Sequence, residues 1–124
     1  MRSLPAAYFL VQATAGVLWW AWLLWSPSTF ALFWPPGAPA SMTHAFLVPD
    51  AAFFVGASAW TARLLAESSP RAVQWAWLTT GAVGYATLFC LAMAWHDQRV
   101  WAAAVSMSAA FLLTILATRS AGPT

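Results

Sequence analysis

From Pro5 to Trp25 the chain reads PAAYFLVQATAGVLWWAWLLW, 21 residues without a single charged side chain. Coiled at 1.5 Å per residue, that run is about 31 Å long, enough to cross the hydrocarbon core of a bilayer. Three further apolar runs follow, and the pattern predicts helices at approximately 5–26, 42–66, 71–95 and 99–118. Short polar segments separate the later runs: Glu67-Ser68-Ser69-Pro70 after the second and His96-Asp97-Gln98-Arg99 after the third. Ala121-Gly122-Pro123-Thr124 ends the chain as a frayed tail. The first run is too long for the apolar core of a signal peptide, so it is expected to stay as a span.

The connection between the first two runs is different in kind. Ser26 to Phe46 holds no Arg, Lys, Asp or Glu, and Pro27, Pro35, Pro36, Gly37 and Pro39 break any continuous helix. Phe30 to Trp34 is greasy enough to lie among headgroups, so the 27–48 stretch is expected to be an interfacial or re-entrant loop. The second helix has two candidate starts. Ser41 could cap a helix beginning at Met42 and kinked by Pro49, or the helix could begin at Pro49 itself.

Composition turns this pattern into a fold class. Of 124 residues, 62% are hydrophobic and 6% charged, against about 25% charged in soluble domains. So few charges cannot cover a water-facing surface. The expectation is one transmembrane domain over 1–124, an all-α integral membrane protein built as an up-and-down four-helix bundle. The net charge of +2 is too small and too scattered to attract nucleic acid. Its value is topological. Arg2, Arg63, Arg71 and Arg119 fall on one side of a four-span chain and Arg99 alone on the other, which places both termini in the cytoplasm and the protein in the plasma (inner) membrane. Trp19, Trp20, Trp22, Trp25, Trp34, Trp95 and Trp101 then map to the outer half, and Trp60, Trp75 and Trp77 to the inner half. Aromatic belts explain this; a lipophilic pocket at the outer end of the first helix is the sharper reading.

Helix packing in lipid relies on close approach and hydrogen bonds. Small residues every fourth position supply candidate contact stripes: Ala52, Gly56 and Ala59; Ala76, Thr80 and Gly84; Ala102, Ser106 and Ala110; and, around Gln12, the Ala15-Gly16 pair. An unpaired amide at Gln12 would be costly, so Gln12 is expected to bond to another helix, with Thr61, Thr80 and Thr114 in reach.

Asp50, His44, His96 and Asp97 all fall near the outer ends of helices 2 and 3, where they could form one cluster with Trp19 and Trp22 as a ligand site. Asp50 also has a bland role, since a carboxylate just after a helix-starting proline favours the positive end of the helix. Cys90 reads as a small buried hydrophobe. No metal-spaced motif, nucleophile elbow or phosphate-cradling loop is present, so no catalytic residue, metal or cofactor is called for by the sequence and haem is not expected. The expected role is an accessory or structural subunit packing against a larger membrane protein. The alternatives are a binder, isomerase or carrier of a lipophilic small molecule using the Trp/His/Asp cluster, and a self-associating small exporter or channel. Partners are thus the bilayer, a larger membrane protein or the chain itself, and a lipophilic small molecule.

Overall fold

The computed structural model describes residues 3–26, 28, 29 and 33–122. It contains α1 (Ser3–Trp25), α2 (Ala40–Pro49), a π-helical segment (Asp50–Gly56), α3 (Ala57–Ala66), α4 (Ala72–His96) and α5 (Trp101–Ser120), with a 3-10 turn at Gln98–Val100 before α5. No strand occurs among the described residues. Because α2, the π segment and α3 are continuous, the chain has four helical runs, each long and apolar enough to cross a membrane. α1 packs on α3 and the π segment, α3 on α4, α4 on α5, and α5 back on α1, which closes a ring of four.

The start of α1, the end of α5 and the 67–71 turn lie together at one end of this ring, called here the termini end. There Phe9, fully buried, meets Ala62, Leu65, Ala72, Ala76, Ala117 and Ala121. Contacts among these residues from all four runs require successive helices to be antiparallel. The turn itself is tight. Ser68 takes φ 53° while the N–H groups of Ser68 and Ser69 donate to the carbonyls of Leu65 and Leu64. That is the double bond pattern in which the residue after a helix turns left-handed, a place glycine usually fills.

Threonines tie the helices where apolar packing has no drive. Thr61 bonds Thr79 at 2.9 Å, Thr80 bonds Thr118 at 2.8 Å, and the Thr87 hydroxyl donates to the Met107 carbonyl at 3.0 Å. No buried side-chain nitrogen or oxygen among the described residues lacks a partner, as hydrocarbon demands.

Three expectations are corrected. The second run starts at Ala40, after Pro39, so 40–48 is helix rather than loop, and Ser41 does not cap it. Pro49 neither starts nor ends this helix. It lacks an N–H and crowds the Ala45 carbonyl, and directly after it the helix widens: the Ala57 N–H donates to the carbonyl of Ala52, five residues back. Finally, Ala52, Gly56 and Ala59 point outward, as do Ala102 and Ser106; the packed faces carry Ala57, Ser58, Thr61 and Leu65 on α3 and Ala104, Thr114 and Thr118 on α5. The Ala76-Thr80-Gly84 stripe does face inward. At Gly84 a Cβ would meet the Phe111 ring at 2.8 Å, so α4 and α5 approach closely there.

Candidate functional site

The other end of the ring, the loop end, is built differently. Along α1 the bulky side chains Trp19, Trp20 and Leu23 face inward, and α5 contributes Ala103, Ser106, Met107 and Ala110. Between them a cavity of about 290 Å³ remains. This is close to the lower edge of pockets that hold small molecules, about 300 Å³. Phe46, Phe54, Phe89, Cys90, Met93 and Val100 complete its walls with Ala15, Gly16, Phe33 and Trp34. Rings interlock around it: Trp19 with Phe33 at 4.4 Å, Phe33's neighbour Trp34 with Phe46 at 5.3 Å, and Phe46 with Phe89 at 4.5 Å. Ala15 on α1 and Ser106 on α5 line the cavity and are also exposed on the outside of the bundle. The space therefore reaches the outer surface of the ring along the seam between α1 and α5.

Asp50 is the one acid on this wall. It follows the ten residues of α2, about 15 Å along the helix from its start. That position rules out the helix-start role, because the free N–H groups of a helix start belong to its first four residues, and α2 starts at Ala40. Asp50 is half-buried and one oxygen, Oδ2, accepts a hydrogen bond from the Trp20 indole Nε1 at 3.2 Å. Trp20 itself is only 7% exposed, so the indole is held by packing and can fix the carboxylate in turn. No arginine neutralises Asp50: the ion pairs among the described residues join Arg63 to Glu67 and Arg99 to Asp97. A charge at mid-bilayer costs about 2.5–3.5 kcal/mol on insertion scales. The π segment is what aims Asp50 and Phe54 at the cavity, and Gly16 lets it come close. A Cβ at Gly16 would meet Val55 Cγ2 at 2.8 Å and the Phe54 ring at 3.0 Å.

Of the residues singled out in the sequence, Asp50 and Trp19 line this cavity. Trp22 is exposed and touches Trp19 edge-on at 5.9 Å, outside the lining. His44 lies on the exposed side of α2 and His96 on the exposed end of α4, and neither lines the cavity. Asp97 is engaged at the loop-end turn, where Arg99 Nε and Nη2 grip both its oxygens at 3.0 and 2.9 Å. Those hydrogen bonds, joined by the Arg99 backbone N–H, hold the Asp97 carboxyl below the ordinary value of 3.8.

Gln12 does bond across the bundle, at the termini side of the cavity. Its Nε2 donates to Ser58 Oγ at 2.9 Å, and its Oε1 accepts from Thr114 at 2.7 Å and from Tyr8 at 2.6 Å. Thr61 and Thr80 are engaged with Thr79 and Thr118 instead. Sequence reasoning missed Phe46 and Phe89, and placed Trp20 among the outer-half tryptophans without assigning it to Asp50. Only Trp20, four residues from Gly16 on a common face with Leu23, carried a signal that periodicity could have read. Among the described residues no three His, Cys, Asp or Glu side chains gather as metal ligands. No protein-family model, curated protein or solved structure matches this chain.

Proposed function

We propose that this is an integral membrane protein that binds a lipophilic small molecule in the loop-end cavity. The observation that carries the reading is a carboxylate, Asp50, set in a largely apolar and aromatic hollow that reaches the outer surface of the ring. Pure scaffolding has no use for such a group, since an acid away from water is costly unless something answers it. Aromatic walls with a single placed polar group are the usual make-up of a small-molecule site. The arginine asymmetry supports a cytoplasmic termini end and an outward loop end in a plasma membrane, which would place the cavity in the outer half of the bilayer. The accessory-subunit expectation gains no particular feature from the fold, because lipid covers the exposed faces as readily as a partner would.

The test compares native protein with Ala103→Trp, which fills the cavity. Both are purified in lipid nanodiscs and the small molecules they retain are identified by mass spectrometry. A molecule held by the native protein and lost from the filled variant, with helicity unchanged, is the expected result. Equal retention, or a native protein that carries nothing and travels with a larger membrane complex, overturns the reading.

A further inference from the structure

Apart from Ser106 and Asp50, the residues lining the cavity are apolar or aromatic. Trp19, Trp34, Phe46, Phe54 and Phe89 are aromatic, and aromatic faces attract cations. The acid, Asp50, has its Oδ2 taken by Trp20 and no arginine beside it. The indole N–H is a neutral donor: it orients the carboxylate without cancelling its charge. An acid in an apolar hollow holds its charge only when a counter-charge sits beside it, and otherwise takes up a proton. From this complementarity we infer that the ligand is a lipophilic monocation, an amine protonated or quaternised at a nitrogen that sits against Asp50 while its apolar body fills the ring-lined space. Trp20 acts as a positioning residue. The inference rests on the cavity being the binding site, and it adds the chemical class of what enters.

The cavity contains its own reporter, since Cys90 lines it and is the chain's single cysteine. Two probes of one shape separate the questions: phenylpropyl-trimethylammonium, and its neutral isostere with a tert-butyl group in place of the trimethylammonium. Binding to the protein in nanodiscs is read from the dose dependence of the thermal unfolding shift, and its location from slowed N-ethylmaleimide labelling of Cys90. The cation is expected to bind at least about tenfold tighter than the isostere, a margin in the range of a cation held by rings and a partner charge. Asp50→Asn should erase that margin and leave the isostere's affinity unchanged, while Asp50→Glu should retain it, which separates lost charge from lost folding. Equal affinities in the native protein, or a margin that survives Asp50→Asn, overturn the inference and leave the cavity as a binding site for neutral molecules. If neither probe saturates and neither protects Cys90, the binding reading falls and takes the inference with it.

Discussion

The two ends of the bundle solve the same problem in opposite ways. At the termini end, helices meet through alanines and threonines around one fully buried ring, Phe9, and every polar group is answered by another from the chain. At the loop end, interlocking rings surround a void, and the acid among them finds a single neutral donor. Close packing is where membrane helices obtain their stability. A gap held open by rings must be stabilised from elsewhere, and the termini end supplies that. The difference separates a clamp from a receptacle.

The largest expected contrast comes from truncating one ring in each half. Phe9→Ala should lower the unfolding free energy by about 3 kcal/mol, since it empties a fully packed site. Phe89→Ala only enlarges an existing void and should cost about 1 kcal/mol. Unfolding by SDS titration in mixed micelles, followed by circular dichroism, measures both; equal losses would erase the distinction. Next in size is Gln12→Leu, which leaves Ser58, Thr114 and Tyr8 each short of one partner. A loss of about 1–2 kcal/mol is expected by the same titration, and no loss would mean that the network is ornamental.

A smaller effect probes the border between the halves. Gly16→Ala drives a Cβ against Val55 and Phe54, whereas Gly81→Ala meets nothing within 4 Å. The first should cost about 1 kcal/mol by crowding and alter Cys90 labelling. The second should be neutral or stabilising, by up to about 1 kcal/mol from helix propensity alone. The smallest effect lies at the loop-end turn. Asp97 has its carboxyl held below the ordinary value by Arg99, so its stabilisation is present above about pH 4 and is lost as the pH falls through the lowered folded value. Arg99 is exposed and Asp97 half-buried at the turn, so Asp97→Asn should move the midpoint little at neutral pH and should flatten the loss of stability expected of native protein on acidification.

Four long helices and the tight turn after Glu67 were legible in the sequence, because length and apolarity are all that a span needs and Glu67-Ser68-Ser69-Pro70 cannot continue a helix. So was the need of Gln12 for a partner on another helix. Which face of each helix looks inward was not. In lipid the outside of a bundle is as apolar as the inside, so no polar side marks the surface, and small-residue spacing pointed to Ala52, Gly56 and Ala59, which face out. The site was hidden for a second reason. Of the two readings of Pro49, the helix start fails and the helix running through it from near Met42 holds, because a span surrounded by neighbours tolerates proline; the helix begins at Ala40 and widens directly after Pro49.

The reach of Gln12 along the chain sets a timetable for birth. Its bond to Ser58 spans 46 residues and its bond to Thr114 spans 102, while Tyr8, one turn away, answers only its oxygen. At about 5–20 residues per second of synthesis, the Gln12 amide nitrogen waits some seconds for Ser58, and Thr114 brings the second donor to its oxygen only when the last helix is made.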